Sequence, residues 1–174
     1  MKLPLKIICL AFVFLSLQVF AEDSAMSAPS IPKNFEPLKQ LLGTWEGKHR
    51  VGEEEMPVKV TYALTSAGTA ITETLMAGTP QEMVSMYHKD GDSVAMTHYC
   101  MLGNQPHMQM TKSSKNEMVF EMQSPKAGLV SANEAHMHGV TLKLIDNNTL
   151  EQSWKYFVDG KEQSTEVFTF KRKI

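Results

Sequence analysis

From Thr44 to Arg172, apolar and polar residues alternate in short runs separated by turn residues. A period of two is that of a strand whose two faces meet different surroundings. The alternation predicts strands over roughly 44–50, 57–66, 69–77, 82–88, 93–100, 106–112, 117–123, 136–145, 149–158 and 162–172. The breaks carry turn chemistry: VGEEE at 51–55, Ala67-Gly68, AGTP at 77–80, KDGD at 89–92, SSKN at 113–116, DNN at 146–148 and Asp159-Gly160. About ten short strands joined mostly by hairpin turns describe an all-β, antiparallel, up-and-down meander. Closing it into a barrel removes both exposed edges. One connection is long, SPKAGLVSANEA at 124–135, and reads as a loop or a helical turn. Ahead of the strands, NFEPLKQLL at 34–42 has the pattern of a short helix. Asn34 is its expected cap, Pro37 falls in its first turn, and Phe35, Leu38, Leu41 and Leu42 lie on one side.

The same alternation assigns the inward faces. Val58, Val60, Tyr62 and Leu64 share one face of the second strand, and Val94, Met96, His98 and Cys100 one face of the fifth. Leu150, Gln152, Trp154, Tyr156 and Val158 share a face of the ninth. His136 and His138 fall with Val140, Leu142 and Leu144, and Glu73 lies between Ile71 and Leu75. The expected interior is apolar with polar insertions: Glu73, His98, Cys100, His136, His138 and Gln152. An unpaired buried polar group costs about 1–3 kcal/mol. A paired network, a wet cavity or a bound ligand would each account for them, and small barrels often hold one such cavity.

The first residues change the picture of where the chain works. Lys2 and Lys6 precede an apolar run from Ile7 to Leu17, and Val19-Phe20-Ala21 fits a small-x-small cleavage site. Residues 1–21 are therefore expected to be a signal peptide, giving an exported protein, periplasmic or secreted, with no stable membrane span once it is cut. Residues 22–33 read as a flexible leader and 34–174 as one barrel domain. The formal charge of −2 becomes more acidic when Lys2 and Lys6 leave, and no basic run is present. That argues against nucleic acid as a partner. Of the two cysteines, Cys9 lies in the signal segment, so Cys100 would stand alone without a disulfide partner.

LLGTWEGK at 41–48 resembles the opening strand of the calycin superfamily, which comprises lipocalins, fatty-acid-binding proteins and nitrobindin-like haem barrels. The resemblance rests on Gly43-x-Trp45 directly after a short helix, with Arg172 in the last strand. It implies a tryptophan packed at the closed end with the arginine over its ring. It implies no shared ligand. Residues 139–174 contain no histidine to match the haem ligand of nitrobindin-like proteins. The only arginines are Arg50 and Arg172, so the carboxylate clamp of fatty-acid-binding proteins is missing.

Candidate chemistry gathers in MTHYCMLGNQPHMQM at 96–110 and EAHMHG at 134–139. The leading expectation is non-enzymatic binding of a small apolar molecule with a polar head. Its lining would be Tyr62, Glu73, Met86, Met96, His98, Cys100, His136, His138, Gln152, Trp154 and Tyr156. Glu73, His98 and His136 would orient the polar group, while methionines and aromatics supply buried area. The alternative is a metal or haem site on His98, Cys100, His136 and His138. His-x-Cys and His-x-His on strands put each pair on one face, a spacing that suits zinc or copper, and Met86, Met96, Met108 or Met110 would add soft thioethers for Cu(I). A third alternative is a closed, self-satisfied core in a protein that acts through its surface. No nucleophile elbow, phosphate loop or dinucleotide fingerprint occurs. GNQPHM at 103–108 and GTPQEM at 78–83 read as turns, or as loops at the mouth of the cavity.

Overall fold

The computed structural model describes residues 30–51, 54–124 and 126–173. The expected signal peptide, and the leader up to residue 29, lie outside the described residues. Ten antiparallel strands follow one another in the order expected from the alternation. They are β1 (Gly43–Val51), β2 (Glu54–Thr65), β3 (Ala70–Leu75), β4 (Met83–Asp90), β5 (Ser93–Tyr99), β6 (His107–Ser113), β7 (Glu117–Glu121), β8 (His136–Asp146), β9 (Thr149–Val158) and β10 (Lys161–Arg172). Each strand pairs with its neighbours in sequence, and β1 also pairs with β10, so the sheet closes into a barrel. No helix among the described residues is long and apolar enough to cross a membrane.

The closing seam depends on one glycine. Gly47 of β1 lies opposite Phe170 of β10. A Cβ at Gly47 would meet the Thr169 carbonyl oxygen at 2.0 Å and the Phe170 Cα at 3.0 Å, both main-chain atoms. At the other seam of β10, Asp159 and Gly160 both take positive φ, 53° and 69°. That is the geometry of a two-residue type I′ hairpin turn, and Asp-Gly is its favoured sequence.

One end of the barrel is closed. The segment Lys33–Leu41 forms a 3₁₀ helix, with Phe35, Leu38 and Leu41 fully buried. It differs from expectation at its start. Asn34 lies inside the helix and does not cap it, because the turn begins one residue earlier and the Phe35 N–H donates to the Pro32 carbonyl at 3.0 Å. Trp45 is buried beneath the helix and its Nε1–H donates to the Leu41 carbonyl at 2.7 Å. The Arg172 guanidinium sits 4.0 Å from the Trp45 ring centroid and also donates to the carbonyls of Leu42, Gln40 and Asn147. A single planar cation thus joins the helix, β1 and the β8–β9 turn.

Inward-facing residues match along every ladder: Val60 with Leu75 and Tyr62 with Glu73, Glu73 with Ser85 and Ile71 with Tyr87, Ser85 with His98 and Tyr87 with Met96. On the far wall Val140 lies opposite Trp154, and Leu142 opposite Gln152. One irregularity overturns an expectation. His136 pairs with Phe157 and Met137 with Tyr156, but Gly139 pairs with Lys155, so His138 is an extra residue in the ladder. Because side chains alternate strictly, one inserted residue inverts the face of everything before it. Met137 therefore turns inward, while His136 and His138 turn to the outer wall. There the His138 ring stacks on Phe157 at 4.1 Å, and His136 Nε2 lies 3.1 Å from His138 Nδ1. Met86 is likewise outside, since Ser85 and Tyr87 on either side of it take the inward positions. It receives a hydrogen bond from Thr72 Oγ1.

Candidate functional site

Above the closed end, the lumen is filled by a buried polar chain. Trp154 Nε1–H donates to Gln152 Oε1 at 3.0 Å, and Gln152 Nε2 donates to the Tyr62 hydroxyl. From the other side the Tyr87 hydroxyl donates to Glu73 Oε2 at 2.6 Å. Gln152, Glu73, Tyr62 and Tyr87 are all 2 % exposed or less. Glu73 carries the strain of this arrangement. Burial pushes its carboxyl up to about 7, against opposing hydrogen bonds from Tyr87, Tyr62 and Gln152. Its Oε1 has no hydrogen-bond partner. Burial and the neighbouring Glu73 charge also hold both tyrosines well above the usual phenol range, so they stay donors. Phe120 seals this layer edge-on to Tyr87, 5.2 Å between centroids.

Beyond the polar chain, toward the open end, lies a cavity of about 230 Å3. His98 and Trp154 form its floor, their ring centroids 4.5 Å apart. Leu75, Met83, Met137 and Phe168 line its sides, and Met56, Met76, Gln81 and Met101 stand nearer the mouth. Met56 and Met101 are 45 % and 58 % exposed, so they mark the rim. His49 and Glu166 complete the wall: His49 stacks on Phe168 at 4.2 Å and its Nε2 lies 3.2 Å from Glu166 Oε2. Glu166 Oε1 accepts from Ser164 Oγ at 2.8 Å. A wider groove of about 580 Å3 lies on the outer wall under the 76–82 loop. Met56, Met76 and Gln81 line both spaces, so this loop divides cavity from groove. Met76, at the start of the loop, takes φ +57°, a conformation uncommon for a side chain of its size.

His98 is the one polar side chain on the cavity floor. Its Nδ1 lies 3.0 Å from Ser85 Oγ, and its Nε2 has no hydrogen-bond partner. Burial pushes the imidazole down to about 4, so it is neutral at ordinary pH. With its proton on Nδ1, donated to Ser85, the ring presents an Nε2 lone pair.

The eleven sequence-derived lining residues thus divide into four groups. His98 and Trp154 line the cavity. Tyr62, Glu73, Gln152 and Met96 lie inward but below it, in the polar chain and the packed core. Tyr156 shares the inward face of β9 and is half-buried, while Cys100 is a free, buried thiol pushed up by burial, and neither lines the cavity. Met86, His136 and His138 face outward. The metal set His98, Cys100, His136 and His138 is therefore split between the two faces of the wall. Among the described residues no three His, Cys, Asp or Glu side chains form a metal-ligand group. A haem macrocycle exceeds a cavity of this volume.

Sequence reasoning missed Met137, hidden by the bulge, and His49, Met56, Met76, Met101 and Glu166, while the alternative reading of 78–83 as a mouth loop reached Gln81 and Met83. Parity with Phe168 and Phe170 was a usable signal for Glu166. For His49 the parity with Trp45 runs through Gly47, which has no side chain to reveal it.

No protein-family model matches the chain, and no curated protein does. Among solved structures, it is similar to a Nostoc punctiforme protein of unknown function from the DUF3598 family, with 15% identity and a TM-score of 0.53 over 78% of this chain and 49% of that one. The chain spans about half the length of that protein. A redesigned β-barrel aligns over 78% of this chain and 94% of its own, at 9% identity and a TM-score of 0.37. What the first likeness shows is the β-barrel fold.

Proposed function

We propose that the protein is an exported, non-enzymatic binding barrel of the calycin type that holds a small, largely apolar molecule in the open-end cavity. The observation that carries this reading is the cavity itself: about 230 Å3, walled mostly by methionines and apolar rings with the His49–Glu166 pair at one side, and with the neutral His98 imidazole on its floor. The guest's polar group is a hydrogen-bond donor that meets His98 Nε2, which otherwise stays unpaired. The volume lies below the ~300–1,000 Å3 of drug-sized pockets, so the guest is small or leaves a tail between Met56 and Met101. Flexible thioethers adapt to varied apolar shapes. The calycin assignment is supported by Arg172 over Trp45 beneath a closing helix. Export is supported by the apolar run before Ala21.

Native mass spectrometry of the full chain produced in an exporting host tests the reading. An organic adduct that is lost on denaturation, and lost also when Met137→Trp fills the cavity, is the expected result. A bare mass, together with no saturable uptake of an apolar naphthylamine probe, would overturn it.

A further inference from the structure

Five of the residues around the cavity are methionines, from five different segments: Met56 on β2, Met76 in the β3–β4 loop, Met83 on β4, Met101 after β5, and Met137 on β8. Two of them are placed toward His98, Met83 by strand register and Met137 through Trp154. Met83 is two residues from Ser85, the direct partner of His98, so it is the diagonal neighbour of the imidazole on the inward face. Such neighbours lie about 7–8 Å apart at Cα, within reach of a long side chain. Met137 pairs with Tyr156, two residues from Trp154, whose ring touches His98. The β8 bulge is what turns Met137 inward at this place.

We propose that this cavity is a site for a soft monovalent cation of the Cu(I) or Ag(I) type, held by His98 Nε2 and the thioethers of Met83 and Met137, with Met56 and Met101 as first contacts at the rim. Thioethers with imidazole select Cu(I)-type ions. A metal-bound imidazole characteristically gives its other N–H to an oxygen, and Ser85 Oγ stands at Nδ1 for that role. The one carboxylate in the lining, Glu166, has both oxygens occupied by His49 and Ser164, so the donors left to an ion are one imidazole and soft thioethers. That favours a monovalent ion over Zn(II) or another hard divalent ion. The set differs from the one the sequence suggested, as it uses neither Cys100 nor the outward His136 and His138. It does not depend on an organic guest, though both would occupy one space.

The test is Ag(I) titration of the full chain in a Cys9→Ala/Cys100→Ala background, which removes both competing thiols. Native mass spectrometry and the quenching of tryptophan emission are the readouts. One ion per chain is expected, with at least tenfold weaker binding in Met83→Leu/Met137→Leu and in His98→Phe, and no response to Zn(II). The leucine substitutions keep volume and polarity, and an unchanged near-ultraviolet circular dichroism spectrum confirms the fold. No bound Ag(I), or undiminished binding in the double leucine variant, would overturn the proposal. Uptake of the naphthylamine probe in the same preparations separates the two readings. A chain that takes the probe and no ion defeats the cation site alone, and one that takes the ion and no probe defeats the organic guest alone.

Discussion

His98 and Trp154 meet ring to ring across the lumen, 4.5 Å between centroids and tilted by 43°. They stand on β5 and β9, on opposite walls, and their contact divides the interior in two. On one side the indole N–H enters the buried polar chain through Gln152. On the other lies the open-end cavity. The contact makes the cavity floor.

Burial shifts two groups on either side of this contact toward their neutral forms, and they predict opposite responses to pH. Glu73 rises from 4.5 to about 7 in the folded chain. Its contribution is fully present below 4.5 and is lost as pH rises through 7. His98 falls from 6.5 to about 4. Its contribution is fully present above 6.5 and is lost as pH falls through 4. Each acts at about 1.4 kcal/mol per pH unit within its window. Between pH 4.5 and 6.5 the two oppose one another, and their contributions to the wild-type profile nearly cancel. Urea melts at half-unit pH steps should show Glu73→Gln losing stability on acidification across that window, relative to wild type. His98→Phe should gain. Parallel profiles for all three proteins would refute the assignment.

At the closed end, Arg172 carries three hydrogen bonds to main-chain carbonyls besides its place over Trp45. Arg172→Ala is expected to cost about 2–5 kcal/mol, from a cation–π contact of ~0.5–2 and charged hydrogen bonds of ~1.5–3. Arg172→Lys should recover only part, because an ammonium does not reproduce the planar fork. Chemical denaturation of the three proteins checks the order.

The β1–β10 seam admits no side chain at Gly47. Gly47→Ala is expected to destabilise by about 3 kcal/mol, the upper range for overpacking, because the atoms it meets are main chain. Gly91→Ala, with open space around its Cβ but φ +58°, should cost only about 1 kcal/mol. Equal thermal shifts in the two variants would speak against a closed seam.

The strands were legible because the polar and apolar positions alternate cleanly and Gly-containing turns, such as Asp159-Gly160, punctuate them. The end of the barrel was legible through the resemblance carried by Gly43-x-Trp45 and Arg172, which implied the ring–cation contact. The site was legible only in part, and the reason is local. His138 is one extra residue in a ladder of period two, so counting from Val140 placed His136 and His138 inside and Met137 outside. The one mark in the residue types is Gly139, since a glycine inside a strand often sits at a bulge or a close backbone approach. Glu73 and Gln152 were correctly read as inward, but alternation gives a face and not a depth. It could not separate the sealed polar chain from the cavity above it. Asn34 failed as a cap for a similar reason: the side chain has the right chemistry, and the Pro32 carbonyl starts the helix one residue before it.

The most direct test of the account is saturable binding in the cavity floored by His98 and Trp154. Tryptophan emission should be followed as an apolar naphthylamine probe is added to wild type, Met137→Trp and Trp154→Phe. The account predicts one-to-one binding to wild type with energy transfer from Trp154. It predicts loss of binding when Met137→Trp fills the cavity, and retained binding with diminished transfer in Trp154→Phe. Binding that survives Met137→Trp undiminished in a folded protein would place the guest elsewhere and contradict it.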